Sequence, residues 1–327
     1  MKLTDIKFGI VAVVVVLTVR QVKVTSQAGV EPDRNKSAHA QRYSDWSAPI
    51  NLGPTVNSEF NDVAPAISKD GLSLYFTSNR PGGFGGDDIY VSQRVSSDDP
   101  WGPPLNLGPT INTSFNEREP AFSRDGHLMF FVTNRPGGFG GSVGDIWVSR
   151  RVHTDDNFGW QTPENLGAGV NSANSDSGPS YFGNEEVGTA QLYFSSNRLD
   201  RTIAMVYVSE QAADGSFGPA FLIPELGVTF GSPMSPSIRH DGLEIFLTSN
   251  RPGSFGFEDL WVATRETVFD AWSEPINLGP TVNSTSVELL SDISSDGKTL
   301  FFTSNRPGGL GLAPDLWMST RTKLSEK

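Results

Sequence analysis

Short apolar runs recur along this chain at a near-constant interval, each framed by the same two polar signals. Leu74-Tyr75-Phe76-Thr77 is preceded by Asp70-Gly71 and followed by Ser78-Asn79-Arg80. The second signal returns as Thr133-Asn134-Arg135, Ser196-Asn197-Arg198, Ser249-Asn250-Arg251 and Ser304-Asn305-Arg306. A second run, Ile89-Tyr90-Val91, follows Asp88 after a Gly-rich stretch that begins Pro81-Gly82-Gly83. Between units stands Trp46 to Gly53, repeated as Trp101 to Gly108, Trp160 to Gly167 and Trp272 to Gly279, with a degraded copy from Phe217 to Pro224. Five copies of a unit of roughly 55–59 residues are the signature of a repeat architecture.

Each unit predicts four short strands. The segment after Pro65 is the first, and Asp70-Gly71 is the turn into the second, the Leu-Tyr-Phe-Thr run. The Ile-Tyr-Val run is the third and the Trp-to-Leu segment the fourth. The middle strands are apolar at consecutive positions, as expected where both faces of a sheet are covered. Four-stranded units set around an axis give an all-β five-bladed β-propeller, which leaves only short edges exposed. The chain opens the repeat with a lone fourth strand, Trp46 to Leu52, and closes it at Arg321 with a third strand that lacks a fourth. The N-terminal strand is therefore expected to complete the last blade beside Leu316-Trp317-Met318.

The pattern Ser-x-Asp-Gly-x-x-Leu-Tyr-Phe-Thr-Ser-Asn-Arg resembles the WD40-like Pro-Asp (PD40) repeats of TolB-like propellers. The resemblance covers roughly residues 46–321 and implies the propeller fold; that family hosts many roles. The chain departs from TolB proper in having five units rather than six and no extra N-terminal domain.

Outside the repeats, Lys2 and Lys7 precede an apolar run from Phe8 to Val19 that Arg20 ends. Such a run suits a signal-peptide core and is short for a bilayer span. Residues 1–28 are read as a signal peptide, with Ser26-Gln27-Ala28 at the cleavage site, or as an uncleaved anchor. Either places the body of the chain in the periplasm or outside the cell. Residues 29–45 read as a polar linker, 46–321 as the propeller and 322–327 as a tail. The chain has no cysteine, which excludes disulfides, thiolate catalysis and a lipid-anchored N-terminus. Its formal charge of −12 becomes −15 without residues 1–28, which carry four basic residues and one acid. That charge disfavours nucleic acid, and no membrane partner is expected beyond the N-terminal segment. An envelope protein or a glycan is the expected partner.

Residues present in every unit are read as holding the fold, since catalysis needs a group only once. Arg80, Arg135, Arg251 and Arg306 each precede an acid at the start of the third strand: Asp88, Asp145, Asp259 and Asp315. These are expected to form ion pairs within each blade. Blade three departs, with Met205 opposite Arg198. The Gly-rich loops match no phosphate-binding motif, no G-x-S-x-G occurs, and His39, His127, His153 and His240 lack metal-ligand spacing.

One constellation stands out. Three residues before Pro65, Pro120, Pro179 and Ser291 stand Asp62, Glu117, Asp176 and Glu288, with Pro233 in the fourth unit. At the start of the innermost strand these acids are expected to gather at the axial opening on the face of the long loops, with Arg118 as a local counter-ion. Three readings stay open: caps for their own loops, a ligand or Ca²⁺ site, or an acid/base pair for glycoside hydrolysis. Five-bladed glycosidases do carry carboxylates on inner strands, a comparison by architecture alone. The leading expectation is a non-enzymatic binding or scaffold propeller using the loop-rich face, the alternative a carbohydrate-active enzyme.

Overall fold

The computed structural model describes residues 43–183, 188–227 and 233–324. The segment read as a signal peptide or anchor, and the linker up to residue 42, lie outside the described residues. Five antiparallel four-stranded sheets form the blades of an all-β propeller. Blade one is β2 (Asp62–Ile67), β3 (Ser73–Ser78), β4 (Asp88–Gln93) and β5 (Leu105–Asn106). Blade two is β6 (Glu117–Phe122), β7 (Leu128–Thr133), β8 (Asp145–Arg150) and β9 (Glu164–Asn165). Blade three is β10 (Asp176–Gly183), β11 (Ala190–Asp200), β12 (Ile203–Glu210) and β13 (Phe221–Leu222). Blade four is β14 (Met234–Ile238), β15 (Glu244–Ser249), β16 (Asp259–Thr264) and β17 (Ile276–Asn277). Blade five is β18 (Glu288–Ile293), β19 (Thr299–Ser304) and β20 (Asp315–Thr320), completed by β1 (Ile50–Asn51) from the start of the ring.

The closure is the expected one. Ile50 pairs with Met318 and Asn51 with Trp317. Backbone bonds extend it outward, from Ser47 N–H to Thr320 O and from Ser44 N–H to Thr322 O. In three other blades the arginine after the third strand stacks on the tryptophan before the fourth, as Arg94 does on Trp101 at 4.4 Å. At the seam the same contact joins the chain ends, with Arg321 over Trp46 at 4.4 Å.

Alternate residues of each second strand face opposite neighbours, which explains the unbroken apolar runs. Tyr75 packs toward Met129 and Phe131 of blade two, whereas Leu74 and Phe76 pack toward Phe301 and Leu316 of blade five. Five such clusters fill the five blade interfaces. Each fully buried Leu, Ile or Phe contributes roughly 1.5–3 kcal/mol, against about 0–1 kcal/mol for an exposed ion pair. The interfaces hold the ring together.

Every innermost strand slips register at one place, between Val63 and Ala66 in blade one and at the matching residues elsewhere. The slip sits on a residue in the left-handed region: Ala64, Glu119, Gly178, Ser235 and Leu290, with φ between 48° and 59°. Such a conformation costs a non-glycine residue roughly 1–2 kcal/mol. A bulge of this kind re-aims the residues that follow it, here toward the axis. Four of the five left-handed N–H groups donate to a hydroxyl of the preceding blade: Ala64 to Thr303, Glu119 to Thr77, Ser235 to Ser195 and Leu290 to Thr248.

Ring closure by β1 leads to a direct expectation. A chain that starts at Pro54 should lose cooperative unfolding relative to one that starts at Tyr43. Trp46→Ala alone should cost about 3 kcal/mol, from lost packing and the Arg321 stack. Thermal unfolding monitored by tryptophan fluorescence checks both, and an unchanged midpoint in the Pro54 chain contradicts the closure.

Candidate functional site

The four acids singled out in the sequence are buried, and each is bound inside its own blade. Asp62, Glu117, Asp176 and Glu288 are all 0% exposed. Their carboxylates pair with Arg80, Arg135, Arg198 and Arg306 at 2.5–3.1 Å. Each also accepts a backbone N–H and a hydroxyl from the loop before it: from Ser58, Thr113, Ser172 and Ser284 respectively. The same arginines donate to a loop carbonyl, of Val56, Ile111, Val170 and Val282. Most lie between two rings, as Arg80 does between Phe76 and Tyr90 at 5.1 and 5.2 Å.

Two expectations are corrected by this geometry. Arg80, Arg135 and Arg306 pair with acids of the first strand, and Arg251 has no ion pair among the described residues; none of them pairs with Asp88, Asp145, Asp259 or Asp315. Those aspartates instead close the Gly-rich loops. Asp88 accepts the N–H groups of Phe84 and Gly85 and the Asn106 side chain, which ties in the fourth strand. Nor do Asp62, Glu117, Asp176 and Glu288 form an open ligand or Ca²⁺ site, because their oxygens are taken up by arginine, N–H and hydroxyl donors. Among the described residues no group of three His, Asp or Glu side chains is placed to hold a metal. Arg118 faces outward, half-exposed, and pairs with Asp87.

A channel runs along the axis. Past the bulges, the innermost strands line a channel with a waist of Pro65, Pro120, Pro179, Pro236 and Ser291. On the side of the first-to-second-strand turns the channel widens to a cavity of about 130 Å³. This is opposite to the loop-rich face expected from sequence. The volume holds about four waters and is below the roughly 300–1,000 Å³ of ordinary ligand pockets. A larger ligand can enter only by one end.

The lining mixes apolar side chains, Ile67, Phe122, Ile238 and Ile293, with polar ones, Ser180, Ser237 and Asp292. Asp292 stands where Ala66, Ala121, Ser180 and Ser237 stand in the other blades. It accepts the Ile67 N–H at 2.8 Å and the Ser237 hydroxyl at 3.2 Å. Desolvation pushes its carboxyl up to about 6, against those hydrogen bonds, which favour the anion. Ser291, next to it, has a buried hydroxyl with no partner among the described residues. A second carboxyl, Glu119, lies on the far side of the waist. Blade two carries Val132 where its neighbours carry a hydroxyl, and Glu119 Oε2 takes up the orphaned Gly178 N–H at 2.6 Å. Desolvation raises this carboxyl too, opposed by the Gly178 bond and by Arg118.

Sequence reasoning missed both channel acids. The signal was present: Asp292 is the one charged residue in its column of the five-unit alignment, where the others are Ala or Ser.

The fold has relatives among solved structures. The α-L-arabinofuranosidase of Lactobacillus brevis matches with TM-score 0.58 and 13% identity, over 84% of this chain and 94% of that one. The catalytic domain of a GH62 α-L-arabinofuranosidase from Coprinopsis cinerea matches with TM-score 0.55 and 14% identity, over 85% and 97%. A thermostable family-43 glycoside hydrolase matches with TM-score 0.54 and 14% identity, over 83% and 92%. At such identity the likeness shows the fold, a five-bladed propeller. No family model matches the chain, and no curated protein does. The expectation of a non-enzymatic binding or scaffold propeller is corrected: the propellers this chain resembles are mostly glycoside hydrolases.

Two outcomes follow. Asp176→Ala leaves the enclosed Arg198 unpaired and should cost about 3–5 kcal/mol, measured by urea unfolding; a neutral effect contradicts an anchoring role. Asp292 has its pKa raised in the folded state, so folded protein holds the proton more tightly than unfolded chain. Stability from this group is present below about pH 4 and is lost as pH rises through about 6. Asp292→Asn should therefore unfold at a higher temperature than wild type at pH 8 and at a similar one at pH 4. A lower midpoint at pH 8 contradicts this.

Proposed function

We propose that this chain is a carbohydrate-active, glycoside hydrolase-like propeller whose reacting groups lie in the axial channel. The observation that carries the reading is Asp292: a channel carboxyl with its pKa raised to about 6 beside the unpartnered Ser291 hydroxyl. A carboxyl that stays protonated near neutrality is the requirement for a general acid at a glycosidic oxygen. A lining that mixes apolar and polar side chains suits a sugar, whose ring has an apolar face and hydroxyl edges.

In this mechanism the Asp292 carboxyl gives its proton to the leaving glycosidic oxygen as the C–O bond breaks. Water adds at the anomeric carbon, and its proton passes to the Asp292 carboxylate left by the first step, which restores the acid. The products are two free sugar ends.

The repeats are of the PD40, TolB-like type, on the Ser-x-Asp-Gly and Ser-Asn-Arg blocks. The N-terminal apolar run would export the chain to the periplasm or beyond, where the partner is a glycan. Among the described residues, no helix is long and apolar enough to cross a membrane.

The test is hydrolysis of a panel of plant and bacterial oligosaccharides by the full chain. Asp292→Asn should lower kcat at least about 100-fold, in the range removed with a general acid. Wild-type kcat should fall as pH rises through about 6, because only protonated Asp292 donates. Cleavage that survives Asp292→Asn removes the reading.

A further inference from the structure

The residue just before each Asp-Gly turn points the same way in the described blades. Lys69, Arg124, His240 and Ser295, from blades one, two, four and five, all line the mouth of the axial cavity. The acids beside them are held in their own turns. Asp70 takes the Ser68 hydroxyl, Asp125 the Ser123 hydroxyl and Asp296 the Ser294 hydroxyl, while Asp241 is bound by Arg239. Among the described residues neither Lys69 nor Arg124 has an ion-pair partner. Arg124 has one weak bond, to Gly183 O at 3.3 Å. Burial lowers the pKa of His240, and the nearby charges of Arg124 and Lys69 lower it further while that of Asp241 opposes them, so Lys69 and Arg124 act together on His240 across the mouth.

This arrangement runs against the rest of the molecule. Among the described residues, a chain of formal charge −12 sets three basic side chains from three blades at this opening, and the one acid that lines the same cavity, Asp292, is bonded to the Ile67 N–H and the Ser237 hydroxyl. Like charges gathered so cost stability unless an anion offsets them. A groove of about 320 Å³ leads away from His240, and Lys298 and Lys323 stand in its wall. Its acids, Asp241 and Asp296, are paired with Arg239 and Lys298.

We infer that the axial mouth binds the anionic group of an acidic glycan, the carboxylate of a uronate or a sulfate ester, with Lys69 and Arg124 as its charged contacts and the rest of the chain laid along the groove past His240. Arginine suits a planar carboxylate or a sulfate through paired N–H donors, and lysine adds a point charge. A positive mouth on a negative body also steers such a ligand to the opening. The inference names the substrate class for the proposed hydrolase and rests on that reading only for what happens after binding.

The experiment is calorimetric titration of the full chain with three tetrasaccharides: an oligogalacturonate, a sulfated galactan without carboxyls, and neutral xylotetraose. Wild type should bind at least one anionic tetramer more than tenfold tighter than the neutral one. Raising salt from 20 to 200 mM should weaken it, as screening requires. The double variant Lys69→Gln/Arg124→Gln should lose that preference while its unfolding midpoint stays at the wild-type value. Arg150→Gln, an exposed charge away from the mouth, should not change binding. Whichever anionic tetramer binds identifies the source of the charge. Equal binding of the neutral tetramer, no binding of either anionic one, or an unchanged preference in the double variant overturns the inference. Hydrolysis is scored in the same samples. An acidic tetramer held through Lys69 and Arg124 but never cleaved sinks the hydrolase reading alone. A neutral glycan cleaved through Asp292 with no effect of the double variant sinks the mouth alone.

Discussion

In four of the five blades a partly buried arginine, paired with a fully buried acid, is held from four directions at once. Arg135 donates to the Glu117 carboxylate, to the Thr133 hydroxyl and to the carbonyl of Ile111, and lies near the rings of Phe131 and Trp147. Its partner Glu117 accepts an N–H and a hydroxyl from the loop that enters the blade. Each arginine thus joins three pieces of chain distant in sequence: the entering loop, the first strand and the end of the second. A lone buried charge would be costly, and the arrangement is tolerable because every partner is present. What the anchor fixes is the start of the innermost strand, and with it the bulge and the channel lining. Blade four lacks the acid. There Arg251 keeps the hydroxyl of Ser249 and the carbonyl of Leu226, and Pro233 stands at the acid's place.

The division between fold and chemistry follows from repetition. Groups that recur in each blade do the same structural task each time. The asparagines Asn57, Asn112, Asn171 and Asn283 each bridge both backbone groups of a third-strand residue in the blade before, as Asn112 does with Ile89. The residues that break the repeat cluster on the axis. Asp292 stands for Ala or Ser, Ser291 for Pro and Glu119 for Ala, Gly, Ser or Leu. Blade five contributes the adjacent pair Ser291 and Asp292, so the channel is not a symmetric ring.

Much of the architecture was legible in the sequence. Five copies of a turn, a doubly apolar strand and a Ser-Asn-Arg block admit few folds, and the unpaired strand at each end told where the ring closes. Partner choice within the blade was not legible. Arg80 has Asp62 and Asp88 both in its blade, and sequence spacing favours Asp88. Three dimensions reverse this, because Asp88 is needed by the N–H groups of a Gly-rich loop that has no other acceptor in reach. The channel acids were hidden for a different reason. Glu119 stands two residues from the more regular Glu117, and only the left-handed bulge at Glu119 turns it to the axis. Asp292 was visible only as an exception in a column of small residues, a pattern whose meaning depends on that same bulge.

The central claim is that the reactive carboxyl is Asp292 on the axis and not any acid of the arginine anchors. Titration of side-chain carboxyls by carbon NMR, in wild type and Asp292→Asn, tests it most directly. The account predicts one aspartate carboxyl with a midpoint near 6, absent from the variant and perturbed when one end of an oligosaccharide enters the cavity. A spectrum in which every aspartate titrates below about 5, the ordinary range, or in which the high-pKa signal survives in Asp292→Asn, contradicts it.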